Sequence, residues 1–450
     1  MVFKPAGFIG FQTVTDNHIK YTLVSYLFIT RLFCNVHDLY SSIANMSHIE
    51  NKVRFKFILS IRQLLQKPPV MVPNHGPVRQ VTYLRRLTLV TLQVKLLLFL
   101  GILIWGKPLD RAMFNAYNPH WPSGESSPTW QSRLACMDVG HYLYLSRTGY
   151  EPNSASSAFY PLWPFLLWIT RIGISSFAPV GASLLAVAFW IAGTLMLFRW
   201  SKNQKDQRFG YAVTLAVMVL PSSIYFWLGF TESLFFFLAV LYLTTTESNR
   251  WPLSVIASFL FPLTRPVGIF VIIIPIILIF FNIRIRVNLF QLFAAMSGFG
   301  IYLATMWIYL GSPWEGFHAQ SFYVNSPSLK NMFQWEDIVV RFFGVDGFHT
   351  PTGSLLDRIM FICCCYALIR LWHIRPIWCF WSLPMFIVPA LSTWFLSFSR
   401  FTIVIIPFTL CLGSYLYCVN SRIALAITIL GVLVQCCLLN SFFLWLGFLI

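Results

Sequence analysis

Charge is scarce in this chain. Only 10% of its 450 residues are Asp, Glu, Lys or Arg, and 15 acidic residues stand against 32 basic ones. A soluble domain carries about 25% charged residues, so this sequence cannot cover a water-facing surface. The dyad alternation of barrel strands is missing too; the apolar runs are continuous and rich in Leu, Ile and Phe. Lipid offers the backbone no hydrogen-bond partner, so such runs must cross as helices. No C-x-x-C pair occurs, which leaves zinc and redox motifs unsupported. Cys363, Cys364, Cys365, Cys379, Cys411, Cys418, Cys436 and Cys437 all lie in apolar runs, where cysteine behaves as a small buried hydrophobe. Neither D-x-D nor H-x-x-x-H spacing appears, so no metal site is expected. The opening residues show no signal-peptide pattern: a lone Lys4 precedes mixed polar sequence.

What is present is hydrophobic: 57% of the residues, with a mean hydropathy of +0.68. Several apolar runs exceed the roughly 18 residues that read as a spanning helix. The composition therefore predicts an all-α polytopic membrane protein. Its formal charge of +17 fits cytoplasmic loops and anionic headgroups rather than nucleic acid, since no basic soluble fold is left to carry that function.

Residues 1–88 form a basic N-terminal segment, dense from Lys52 to Arg86, with an apolar patch at Tyr21–Phe33 interrupted by Arg31. It reads as cytoplasmic and headgroup-facing, or as a poorly ordered extension. The sequon Asn45-Met46-Ser47 would be glycosylated only if lumenal, which the neighbouring charges oppose. In residues 89–450 about 11 spans are expected, near 89–106, 177–198, 211–228, 232–247, 252–264, 266–283, 288–310, 356–372, 376–392, 401–419 and 423–449. With the N-terminal segment inside, Arg199, Lys202, Lys205 and Arg208 also fall inside. So do Arg250, Arg284, Arg286, Arg370, Arg375 and Arg422, as the positive-inside rule requires. The assignment holds only if residues 159–175, with Pro161, Pro164, Arg171 and several aromatics, form an interfacial or re-entrant helix. The outer face then carries segments of about 107–176 and 311–355.

Candidate functional residues gather on that outer face. Asp138 and His141 are three apart and would share a helix face. Asp138 reads either as a general base towards a sugar hydroxyl or as the first-turn charge of an interfacial helix. Glu232 lies at the lip of two apolar spans, where an ionisable residue is costly; the alternative is a helix start with Thr231 as N-cap. Pro266 should divide the 252–283 run, turning Arg265 outward. There Arg265, like Arg400, can hold a phosphate bidentately or snorkel to headgroups. The outer loop adds Trp314, Glu315, His318, Gln320, Trp335, Glu336, Asp337, Asp346 and His349, a set suited to a carbohydrate or headgroup cleft and equally to ordinary loop surface.

These residues bring a family into view. Asp138-Val139-Gly140-His141-Tyr142-Leu143, Gly149-Tyr150 and Phe159-Tyr160-Pro161-Leu162-Trp163-Pro164 resemble the WDG-x-H-[FY]-L, GY and FFPL-x-P signature of the PIG-V (GPI mannosyltransferase 2) family, which has shorter prokaryotic relatives. Met137 stands where that pattern has tryptophan. Pro221-Ser222 with Tyr225, Thr231-Glu232-Ser233-Leu234, Thr264-Arg265-Pro266 with Gly268, Gly311 to Gln320, and Ser399-Arg400-Phe401 with Pro407 follow in the family's order. The resemblance covers about residues 90–420. It implies a GT-C glycosyltransferase fold, an inverting mannosyltransferase acting on the lumenal or periplasmic face, and a polyprenyl-phosphate sugar such as dolichyl-phosphate mannose as donor. The acceptor would be a glycolipid such as a GPI-anchor precursor. The membrane would be the endoplasmic reticulum in a eukaryote and the inner membrane in a bacterium. Asp138 inherits the role of acidic first-loop residue; His141, Glu232, Arg265, His318 and Arg400 are the expected substrate contacts, with no cofactor beyond the lipid-linked substrate.

A polytopic transporter or lipid flippase is the rival reading. It would place ionisable residues near mid-bilayer and show duplicated broken helices. No such duplication is evident in the sequence.

Overall fold

The computed structural model describes residues 78–105, 120, 130–135, 137–173, 175, 177–323, 327–348, 353–372 and 374–443. The sequon, most of the basic N-terminal segment, His349 and the last seven residues of the chain lie outside the described residues. Within them the secondary structure is helical, with one isolated bridge between Gly347 and Ser354 and no strand.

The main helices are α1 (Val78–Trp105), α2 (Asp138–Thr148), α3 (Leu162–Ile169), α4 (Ala178–Gln204), α5 (Gln207–Val219), α6 (Glu232–Glu247), α7 (Trp251–Leu260), α8 (Ile273–Phe280), α9 (Ile285–Leu310), α10 (Trp335–Phe343), α11 (Leu355–Trp372), α12 (Pro376–Ser392), α13 (Ile406–Cys418) and α14 (Ser421–Phe443). Four of these, α1, α4, α9 and α14, are long and apolar enough to cross a membrane. The number rises to six if two bent helix pairs each count as one span. Their outer faces leave Leu97, Phe293, Ile308 and Leu430 exposed, side chains that a water-soluble surface does not present in such numbers and lipid does. Helix α1 begins at Val78, so residues 78–88, assigned by charge to the N-terminal segment, continue into the first expected span.

The helix ends sort by chemistry. At one end Tyr83 Oη donates to the Ser421 carbonyl (2.7 Å), Arg375 pairs with Glu247 (2.7 Å) and Arg284 donates to Thr246 O (3.4 Å). Arg208 reaches Tyr417 O, so the basic loops share this end. The other end joins Arg133 to Leu103 O (3.0 Å) and the Trp163 indole to Gly229 O (2.8 Å). At eight residues, α3 is about 12 Å long and too short to cross, as the interfacial reading of 159–175 requires. Helix α10 lies among the loops at this end, its C-terminal carbonyls held by Arg358 (Nη2 to Arg341 O, 2.6 Å). It exposes Trp335, Val339 and Phe343 along one side, the pattern of a helix lying in the membrane interface.

Two expected spans are not continuous. The 211–228 run breaks after Val219: Pro221–Trp227 forms a separate 3-10 turn bent 83° away. Likewise the 401–419 run starts as Phe398–Val404 and bends by 77° before α13. Pro221 and Pro407 cannot supply the missing N–H groups. At the first break the freed carbonyls find donors far away in the chain. Lys95 Nζ donates to Met218 O (2.9 Å) and Ser223 Oγ (2.7 Å), and Gln435 Nε2 serves Met218 O (2.8 Å) and Leu220 O (2.9 Å). A buried lysine within a span is tolerated here because broken backbone needs donors.

The two broken helices touch through Ser222 and Thr402 hydroxyls, 3.1 Å apart. Their regular parts, α5 and α13, are 13 residues each, about 20 Å of the roughly 30 Å hydrocarbon core. The breaks therefore leave a recess at the end opposite the Arg208, Arg284 and Arg375 loops, and the functional candidates surround it.

Candidate functional site

Four chain segments supply the recess, and each presents its charge at a helix start, in a short turn or at a break between turns. Asp138 is the first residue of α2, directly after Met137, whose φ is +55°. Glu232 opens α6. Arg265 is extended (φ −157°) between two short 3-10 turns, with Pro266 starting the second. That break is tight: a Cβ on Gly268 would lie 2.1 Å from Phe261 O, so only glycine fits. Arg400 sits in the turn Phe398–Phe401, which Asp357 fixes by accepting from Ser399 N (2.5 Å).

The four side chains form one ionic network. Glu232 Oε1 accepts from Arg265 Nη1 (2.8 Å) and from Arg400 Nε. Arg400 Nη2 reaches Asp138 Oδ2 (2.5 Å). The arginines also lie over aromatic rings: Arg400 over Phe230 (4.6 Å) and Tyr225 (5.3 Å), Arg265 over Phe401 (4.7 Å), a cation–π arrangement that strengthens where water is excluded. Glu232 is fully buried. Such a charge survives only when paired, and two guanidiniums pair it. The helix start at Thr231 is where α6 begins, with Glu232 in its first turn; the Thr231 hydroxyl forms no cap and meets Tyr142 Oη instead (3.1 Å).

A cavity of about 570 Å³ opens against this network. Asp138, Arg265, Gln320 and Lys330 line its polar part, and Val267, Ile269, Phe270 and Val388 its apolar part. The mixture suits a molecule with a charged or hydroxylated head and a hydrocarbon portion.

No family model, curated protein or solved structure matches the chain.

His141 and His318 stand apart from the network. His141 is buried behind the cavity wall, stacked on Phe159 (4.8 Å). Its Nδ1 lies 2.9 Å from Ser156 Oγ and 3.1 Å from His120 Nε2, so it braces the wall. Although three residues from Asp138 on one helix, it pairs with these groups. His318 ends a four-residue turn with its side chain 69% exposed, and its ionic neighbour is Glu315 (3.5 Å); it does not line the cavity. Gln320, two residues on, does, and donates to Ala158 O (3.1 Å). His120, Lys330 and Asp357 carry no signal in the sequence. His120 and Lys330 belong to turns, where no periodicity marks a site, and Asp357 lies in the first turn of α11, where an acidic residue is an ordinary helix start. Among the described residues no three His, Cys, Asp or Glu side chains come together as metal ligands.

Burial depresses the His141 pKa to about 4, Asp138 opposing the shift and His120 adding to it. The neutral ring is thus favoured in the folded state. Between pH 6.5 and 4 the unfolded chain binds the extra proton, so stability falls as pH drops through that window, by up to about 3 kcal/mol. Thermal melts across this range should show the loss, and His141→Gln should flatten it.

Proposed function

We propose that the chain is a GT-C-type membrane glycosyltransferase, moving a sugar, with mannose the first candidate, from a polyprenyl-phosphate donor to a glycolipid acceptor. The observation that carries the reading is the convergence of Asp138, Glu232, Arg265 and Arg400. They lie in four separate stretches of the resemblance and join in one network beside an amphiphilic cavity. This reading takes α1, α4, α5, α6, α7 with the turn to Leu263, α8 with the turn from Pro266, α9, α11, α12, α13 and α14 as the eleven expected crossings, and puts the network on the lumenal or periplasmic side and the basic loops on the cytoplasmic side.

In this reading the polyprenyl tail occupies the apolar part of the cavity and the phosphate approaches Arg265 and Arg400. A guanidinium that turns to phosphate leaves Asp138, which Arg400 otherwise neutralises. Asp138 then accepts the acceptor hydroxyl proton as that oxygen bonds to the sugar's anomeric carbon. The bond from that carbon to the phosphate oxygen breaks from the opposite face, inverting the centre, and its electron pair leaves with polyprenyl phosphate. Fixed guanidiniums stabilise the charge developing there. The exchange of partners keeps an ionised base from meeting an empty site.

One observation favours transport as a second reading: the two broken helices meet at Ser222 and Thr402, and paired discontinuous helices are a transporter feature. Purified protein in nanodiscs, given polyprenyl-phosphate mannose and a panel of glycolipid acceptors, separates the two. Transfer to an acceptor, with cysteines at Val267 and Ser392 labelled from one side only, is expected. No transfer together with labelling from alternate sides would replace the enzyme by a transporter.

A further inference from the structure

The ionic network is electrically balanced, and that creates a difficulty for any anionic ligand. Two guanidiniums, Arg265 and Arg400, already face two carboxylates, Glu232 and Asp138. An incoming phosphate meets no net positive charge there and must share its donors with buried Glu232, which cannot be left unpaired without heavy cost.

Among the described residues one further cation lines the cavity. Lys330 belongs to the 3-10 turn Leu329–Phe333, far in sequence from every network member. No carboxylate among the described residues pairs with its ammonium. Its backbone is held in place: Asn331 Nδ2 and Ser328 N both donate to Ser392 O at the end of α12 (2.7 and 3.2 Å), and Ser328 Oγ accepts from Lys330 N (3.2 Å). The anchoring is through neighbours, which leaves the side chain itself free to meet a ligand.

We propose that Lys330 is the counter-ion for the phosphate head of a lipid bound in this cavity, and that it sets the preference for an anionic over a neutral polyprenyl lipid. The inference rests on the transferase reading for the identity of the lipid and names a binding residue which that reading does not contain. Lys330 supplies the positive charge that the balanced network lacks. A lysine fits this position because it is a point charge on a flexible stem and can follow the phosphate as the sugar departs.

The test is equilibrium binding to the full-length protein in nanodiscs, with no acceptor present, so that turnover plays no part. Three probes are compared: polyprenyl phosphate, polyprenol and inorganic phosphate. Lys330→Met is expected to weaken polyprenyl phosphate binding about tenfold, the scale of one charge-assisted hydrogen bond, and to leave polyprenol unchanged. Lys330→Arg should retain binding, and the difference between wild type and Lys330→Met should shrink at high salt, because the group is exposed. Lys330→Met binding polyprenyl phosphate as wild type does would overturn the proposal. So would wild-type protein that binds no polyprenyl phosphate, or that binds inorganic phosphate as tightly as the lipid. Binding that depends on Lys330 in a protein that transfers no sugar would retain the proposal and remove the transferase reading alone.

Discussion

Asp138→Asn is expected to lower sugar transfer by about 10²–10⁴-fold, the usual contribution of a positioned general base, while the protein stays folded in the membrane. Asparagine keeps the shape of the side chain, and its amide oxygen can still accept from Arg400 Nη2, the group that now meets Asp138. What it loses is the ability to take the acceptor proton. The measurement is initial rate with polyprenyl-phosphate mannose, alongside a thermal melt to show that folding is intact. Full activity in a well-folded variant would remove Asp138 from the base role and leave the network as a structural device.

Removal of Arg400 should act differently, on the fold before the chemistry. Arg400→Met takes one donor from fully buried Glu232 and the ionic partner from Asp138. Stripping one member from a buried ionic network costs about 3–5 kcal/mol, because the charges left behind are desolvated and uncompensated. A second change, Glu232→Gln, removes the charge that is stranded. The double variant should therefore be less destabilised than the sum of the two single variants, the coupling expected of groups in direct contact. Arg400→Lys should fall between, since an ammonium lacks the planar fork that spans two carboxylates. Unfolding in detergent reads all four proteins, and additive effects would mean that the pairing carries little energy.

The two experiments probe different levels of one arrangement. The same guanidinium pairs with Glu232 and with Asp138, so in the proposed reaction the starting network and the reacting network cannot be the same set of pairs. In the proposed reaction this exchange is driven by phosphate, and Lys330 offsets part of its cost.

Much of the architecture is readable from residues alone, because the rules involved are local. Membrane character follows from apolar run length and from the scarcity of charge. The division of the 252–283 run follows from Pro266, and the structure breaks there, between Leu263 and Pro266. The short helix at Leu162–Ile169 follows from the clash between a crossing and the charge pattern. The sharing of one end by the basic loops follows from counting Lys and Arg. Asp138, Glu232, Arg265 and Arg400 attract notice one by one: Glu232 as an ionisable residue at the lip of two apolar spans, Asp138 as a carboxylate beside His141 on one helix face, and the arginines as guanidiniums able to hold a phosphate.

Tertiary structure decided what no local rule reaches. Pro221 within an apolar run is compatible with a kinked helix; it marks an 83° break here because Lys95 and Gln435, more than a hundred residues away on either side, supply the donors that open carbonyls need. The sequence shows two arginines and two acids, and only their packing pairs them, so that candidate phosphate ligands begin as counter-ions to carboxylates. In the segment after α9, His318 turns to solvent while Gln320 and Lys330 reach the cavity, because loop backbone has no period from which a side chain's direction can be read. Helix position is set by the solvent each residue must avoid, which composition records. Charge pairing is set by which distant atoms come within 3 Å of one another, and the folded chain alone determines that.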